Sequence, residues 1–321
     1  MGVNYRSIDS SRNDVMNIGG TLQFQPGGVI AGAGFAQNGD TWYVNSTDGD
    51  DDYNGKSWTT AFATIAEAVA VAAAGDTIFL LGSFNEAVTC ALAGVKFIGA
   101  GTGPAQATWT APTVAGSHCL KLTAGYCVVR NIKFRPVVYT GSGLPCAIHL
   151  VAASDYTRII GCRFQGRAGS YAAIYCSVPC GNVEIDGCEF LYMNTATHGK
   201  AIYGLAVGGS AHSAWRITDC IFNSCLADIN IDGRTCLLEG NKHFIVGLSA
   251  AGAIGSAVTV QAIDLSGTDT GANVMTKCTL GGTYNLATYK PGDTGDVWMG
   301  NYCSIVATYA PNGLSVLVPV S

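Results

Sequence analysis

A phenylalanine-ended segment that returns at the spacing of one solenoid coil restricts the fold of this chain more than any other feature. Five stretches align on it: CVVRNIKF (127–134), TRIIGCRF (157–164), VEIDGCEF (183–190), WRITDCIF (215–222) and LLEGNKHF (237–244). Their phenylalanines, Phe134, Phe164, Phe190, Phe222 and Phe244, stand 30, 26, 32 and 22 residues apart. A unit this short cannot bury its apolar face alone, so successive units must stack and cover one another.

The aligned columns say how the stack is made. Three residues before the phenylalanines stand Asn131, Gly161, Gly187, Asp219 and Asn241; these types tolerate a left-handed backbone, which predicts a corner. Two before lie Ile132, Cys162, Cys188 and Cys220, and five before lie Val129, Ile159, Ile185 and Ile217. Apolar and polar positions alternate, as in strands with one face on a core. Coils about 4.8 Å apart would set each residue over its counterpart. The fifth segment puts Lys242 in the cysteine column and Glu239 in the isoleucine column, which predicts a bulge or a slip of one residue. About seven or eight coils are expected between residues 76 and 285.

Ahead of the repeat run YVNSTDGDDDYNGKS, AFATIAEAV, GDTIFLLG and GVKFIGAG. Phe62, Ile65, Ala66, Val69 and Ala73 recur at helical spacing, Thr64 and Glu67 suit a capping box, and Gly75 suits a helix stop. A short helix near 61–74 follows. This order of acidic turn, helix, strand and repeat resembles the entrance of the right-handed parallel β-helix, or pectin-lyase-like, family, where the helix plugs the open end of the coil. The resemblance implies an all-β fold: a single-stranded right-handed parallel β-helix over residues 39–285 with an N-terminal capping helix. Residues 1–38 are Gly-rich without the repeat and are expected to form an extended arm. Residues 286–321 drop the pattern and are expected to form a β-rich cap or subunit contact, because the last coil exposes an edge.

Composition narrows the partners. Only 12% of residues are charged, against about 25% in an ordinary domain, and the net charge is −5 with no basic run. Nucleic acid is therefore not an expected partner. No apolar stretch reaches the length of a membrane span. The 13 cysteines form no CxxC pair and are expected to be buried free thiols. The low charge, the arm, the short coil and a start without the basic-then-apolar plan of a leader resemble a bacteriophage virion protein. That resemblance implies a homotrimeric capsid decoration, cement or head-spike protein, docked on the major capsid protein or another virion protein by its arm. It would be made in the host cytoplasm and carried on the virion surface. The alternative is a short tailspike, a depolymerase that binds and cleaves a host surface glycan.

Catalysis on such a polymer by hydrolysis needs two carboxylates. The best cluster is Glu184, Asp186 and Glu189, with the first two alternating on one strand. The same alignment sets Glu184 between Arg158 and Arg216 and Glu189 over Arg163, which favours a cross-strand charge ladder over catalysis. For a metal, Asp50, Asp52 and Asn54 before Gly55 copy the first half of a calcium loop, but its twelfth position is Ala61 rather than glutamate. An ordinary turn is the favoured reading. Asp228, Asn230 and Asp232 alternate on a strand and are candidates to line a groove. The five histidines make no metal pattern, no phosphate loop or nucleophile elbow occurs, and no cofactor is expected.

Overall fold

The computed structural model describes residues 39–304 apart from 114–115, 137–144, 152, 167–170, 194–198, 205–210, 226, 246–262, 266–270, 283–288 and 291–295. The expected arm, residues 1–38, and residues 305–321 lie outside the described residues. Three parallel sheets run the length of the coil. Among the described residues, sheet I has ten strands, from Thr41–Asn45 and Thr77–Leu81 through Arg158–Ile160, Glu184–Asp186 and Arg216–Thr218 to Val297–Met299. Sheet II has nine, from Ser83–Asn85 to Tyr302–Ser304, and sheet III has eight, from Val88–Cys90 to Tyr289–Lys290. Each coil passes through I, II and III in turn, and every pairing within these sheets is parallel. The fold is a right-handed parallel β-helix.

Eight strands of sheet I fall between Thr77 and Thr276, matching the expected number of coils. The ladder also runs past residue 285. Val297–Met299 pairs with Val274–Thr276, and Tyr302–Ser304 pairs with Thr279–Gly282. The described part of 286–304 thus adds strands to the coil where the sequence suggested that the pattern had ended. Loops of different length hide that last repeat.

The inward columns form the core. Val129, Ile159, Ile185 and Ile217 are fully buried, as are Phe134, Phe164, Phe190 and Phe222. The phenylalanine rings stack face to face at 5.3, 4.9 and 4.9 Å between centroids, with interplanar angles of 11°, 5° and 4°. Buried Trp109 tops the stack, 5.8 Å from Phe134. The expected slip occurs at the fifth segment. His243, not Phe244, pairs with Phe222 and stacks on it at 4.7 Å. Leu238 then falls under Ile217, and Asn241 takes the position under Cys220. Its Oδ1 accepts from the Cys220 N–H and its Nδ2 donates to the Ile217 carbonyl, so a buried polar side chain finds partners on both sides.

The coils bend on left-handed residues at two corners, and two coils do so again after sheet II, at Tyr192 and Ser224. Between sheets I and II they include Asn131, Gly161, Gly187, Asp219, Gly240, Lys277 and Gly300, with φ from 51° to 68°. Gly240 replaces the expected Asn241 because of the slip. Between sheets III and I they include Gly94, Tyr126, Tyr156, Asn182, Ala214, Thr235 and Ala272, with φ from 53° to 73°. The backbone N–H of each bonds the residue preceding the next, as from Tyr126 to Asp155, Tyr156 to Gly181 and Asn182 to Ser213.

The helix Ile65–Val71 lies at the N-terminal end, its Ile65 and Ala68 joined to the main core. Thr64 Oγ1 accepts from the Glu67 N–H at 3.2 Å, half of the expected capping box. The other half is supplied from elsewhere: the Thr64 N–H donates to Asp51 rather than to Glu67. Glu86 accepts from the Ile65 and Ala66 N–H groups, which completes the satisfied helix start.

Candidate functional site

The outer face of sheet III carries the densest set of aromatic and titratable side chains. The strand Ala172–Cys176 is buried at every position, because its inner face meets the core and its outer face meets a second cluster. That cluster joins Cys146, Tyr171, Ala172, Tyr175 and Tyr203. Register sets Lys121, His149, Tyr175, Tyr203 and Asn230 in one column. His149 stacks on Tyr175 at 5.1 Å and Tyr175 on Tyr203 at 5.5 Å, while Tyr171 meets both tyrosines edge-on. Lys200 Nζ sits 3.3 Å from the centroid of the Tyr203 ring, a cation–π contact.

His149 Nε2 lies 2.9 Å from Ser177 Oγ, and the His118 ring stands 5.7 Å from that of His149. Burial pulls the His149 pKa down to about 4, helped by His118 and Lys121 nearby. Burial, and then Lys121, lower His118 as well. Burial raises both Tyr175 and Tyr203, which keeps them phenolic donors at neutral pH. A serine within reach of a histidine has the geometry of a nucleophile and its base. An imidazole held near 4, however, takes a proton poorly at neutral pH. The contact works as a hydrogen bond that orients a neutral ring in a stack.

The carboxylates singled out in the sequence sit elsewhere. Glu184 and Asp186 share the outer face of sheet I, flanking the buried Ile185, while Glu189 lies past the corner on sheet II. Glu184 is in register between Arg158 and Arg216 and bonds Arg158 Nε at 2.7 Å. Glu189 pairs with Arg163 at 3.0 Å, and Asp186 accepts from Thr218 Oγ1 at 2.7 Å. All three candidates therefore tie one coil to the next.

The acidic loop is likewise occupied by local bonds. Asp50 Oδ1 accepts from the Asp52 N–H, and Asn54 Oδ1 accepts from the Lys56 N–H and Thr60 Oγ1. Such bonds from a side chain to a backbone two residues on define a turn. Among the described residues no group of three or more His, Cys, Asp or Glu side chains is arranged to hold a metal ion.

Asp228 departs from the sequence expectation. It points into the coil rather than lining a groove, and it meets His243 Nδ1 at 2.9 Å with both side chains buried. Burial raises its pKa, opposed by the bond to His243. The one-residue slip makes this pairing, since it turns His243 inward. Twelve cysteines are described as free and buried; burial pushes Cys127 up to about 12 and Cys236 and Cys278 to about 11. These are inert packing groups. Trp109 and Trp215 are fully buried as well.

Sequence reasoning missed two features. The sheet III face was overlooked because its histidines and tyrosines come from segments with different loop lengths. The residues Tyr126 and Tyr156 were overlooked because tyrosine does not signal a left-handed corner. A third-sheet alignment of HCLKL, CAIHL, AAIYC and KAIYG would have exposed the first.

No family model matches this chain, and no curated protein matches it. Solved structures share its fold. The native GH136 lacto-N-biosidase from Eubacterium ramulus aligns with a TM-score of 0.59 at 12% identity, over 82% of this chain and 56% of that one. A pectate lyase, Pel9A, aligns with a TM-score of 0.59 at 12% identity, over 86% of this chain and 72% of that one. The chain thus spans little more than half the length of the lacto-N-biosidase. At such identity the likeness establishes the parallel β-helix and carries no activity with it.

Proposed function

We propose that this chain is a structural bacteriophage virion protein, a β-helical decoration, cement or head-spike component at the particle surface. It assembles as a homotrimer and attaches to the major capsid protein, or another virion protein, through residues 1–38. The observation that supports this reading is the use of Glu184, Asp186 and Glu189 as coil-to-coil ties. A hydrolase needs such groups free to trade protons; a scaffold needs them to hold register. An uninterrupted parallel ladder from Thr41 to Ser304 gives a stiff rod roughly 43 Å long at the usual strand spacing, with long sides for self-association.

The second reading is a short tailspike that binds and cleaves host polysaccharide. The exposed, stacked rings of Tyr126 and Tyr156 favour it, since aromatic surfaces suit sugar rings. Quantitative mass spectrometry of purified particles separates the two. Copy numbers of the same order as the major capsid protein support decoration. A handful of copies moves the chain to a vertex or tail and makes polysaccharide cleavage the next assay. Complete absence from particles overturns both.

A further inference from the structure

Cys176 and Cys180 bring two thiols together at the corner between sheets III and I. Cys176 ends the strand Ala172–Cys176 of sheet III, and Cys180 stands in the link to Glu184–Asp186 of sheet I. The two are four residues apart in the chain, and their sulfurs lie 3.1 Å from each other. A disulfide bond is only about 1 Å shorter. Both sulfurs also lie against one acceptor, the Val178 carbonyl, at 3.0 and 3.4 Å.

The backbone holds this approach in place. Cys176 is in register between Leu150 and Gly204 of the neighbouring coils. The Cys180 N–H donates to His212 Nδ1 at 3.2 Å, and its carbonyl accepts from the Ser213 N–H at 3.2 Å and from Trp215 Nε1 at 2.9 Å. With both main chains fixed on their neighbours, a side-chain rotation closes the remaining gap between the sulfurs. A hollow of about 340 Å³ lies at the same corner, and Cys180 is in its lining together with Pro179, Gly181 and Ser213.

We propose that Cys176 and Cys180 form an oxidation site, a dithiol that a peroxide entering by the hollow converts to a disulfide within the folded coil. The Cys180 sulfur attacks one peroxide oxygen, the O–O bond breaks, and hydroxide leaves with the thiol proton as water, so that Cys180 becomes a sulfenic acid. The Cys176 sulfur then attacks Cys180 Sγ, the S–O bond breaks, and the hydroxyl leaves with the Cys176 proton as a second water. Two thiols and one peroxide thus give one disulfide and two waters, with two electrons passed from sulfur to oxygen. Burial, and next the bond to Cys180, hold the Cys176 pKa well above the ordinary thiol value, so Cys176 keeps its proton until its neighbour has been oxidised. The loop that closes holds only Ser177, Val178 and Pro179, which puts the gain in global stability at the small end. The main change is local: both S–H donors leave the Val178 carbonyl, next to Pro179 in the wall of the hollow. The inference does not depend on the structural reading, although it suits it, since a protein made in a reducing cytoplasm and carried out of it meets oxidant on release.

The test treats the full chain, purified with a reductant that is then removed, with hydrogen peroxide. The protein is afterwards denatured, its free thiols are tagged with N-ethylmaleimide, and its peptides are mapped by mass spectrometry. The tag count is expected to fall by two from 13, with the link mapped between Cys176 and Cys180. Cys162, Cys188 and Cys220, shut inside the coil at no more than 1% exposure, should stay tagged, and dithiothreitol should restore the full count. Cys176→Ala should leave Cys180 as a sulfenic acid that dimedone captures, and Cys180→Ala should leave Cys176 tagged. Should either variant fail to fold, the peptide map of the parent decides. The proposal fails if every thiol keeps its tag while methionines are already oxidised, if Cys180 is oxidised without linking to Cys176, or if the first disulfide joins other cysteines.

Discussion

The corner between sheets I and II and the corner between sheets III and I each turn on one left-handed residue per coil, yet they are filled from different parts of the amino-acid alphabet. The first uses Asn131, Gly161, Gly187, Asp219 and Gly240 before Lys277; the second uses Tyr126, Tyr156, Asn182, Ala214, Thr235 and Ala272 after Gly94. At the first corner the chain turns on one residue and buries an aromatic ring three residues later, and from Asn131 to Gly240 the residue choice follows backbone need, with Lys277 the exception. At both corners the N–H of the left-handed residue bonds the next coil, as from Asn131 to Ile160 and from Tyr126 to Asp155, so at the second the same bond holds the conformation on side chains that do not favour it. The same dihedral angle, held by the same bond between coils, can thus carry a residue that favours it or one that does not.

The comparison yields a graded set of expectations. Phe190→Ala, just past the first corner, removes the middle ring of the stack and should cost about 3–5 kcal/mol in denaturant unfolding; a loss under about 1 kcal/mol would mean that the stack does not organise the coil. Gly187→Val meets open space around its new Cβ, so its cost is backbone strain, about 2 kcal/mol. An unchanged melting curve would show that the first corner is no stricter than the second.

Sheet III leads into the second corner and should show itself in acid. His149 is held neutral down to about 4, whereas an unfolded chain protonates its histidine near 6.5. Its contribution is therefore complete above about pH 6.5 and is lost as the pH falls toward 4. His149→Phe keeps a ring on Tyr175 and should flatten the melting temperature across that window; an identical pH profile would contradict the burial of this ring. Ala214→Gly relieves a left-handed alanine and should stabilise by about 0.5–1 kcal/mol after the entropic cost of glycine, and destabilisation would show that the second corner has adapted to its side chains. Smallest of all, Glu184→Gln breaks the exposed bond to Arg158 and should cost less than about 1 kcal/mol, shrinking in high salt. A larger, salt-independent loss would give this ladder a weight that surface ion pairs rarely carry.

Much of the fold was legible because it is written in local rules. Alternation in VEIDGCEF places Ile185 inward and Glu184 and Asp186 outward, and Gly187 announces its own corner. The Arg158–Glu184 and Arg163–Glu189 pairs also follow from the alignment. The slip at 237–244 was visible as a conflict of columns, but not its consequence, that His243 turns inward to meet Asp228. The sheet III face and the Tyr126–Tyr156 pair were not legible, since loops of unequal length hide which residues of successive coils stand over one another.

By itself, then, the sequence determined the coil, its inward columns and its first corner, because strand alternation and left-handed tolerance are properties of residues and their neighbours. Only the tertiary structure decided which histidines, tyrosines and aspartates come together, because that depends on register between coils. Register is set by hydrogen bonds across some thirty residues of chain, and no short stretch contains it.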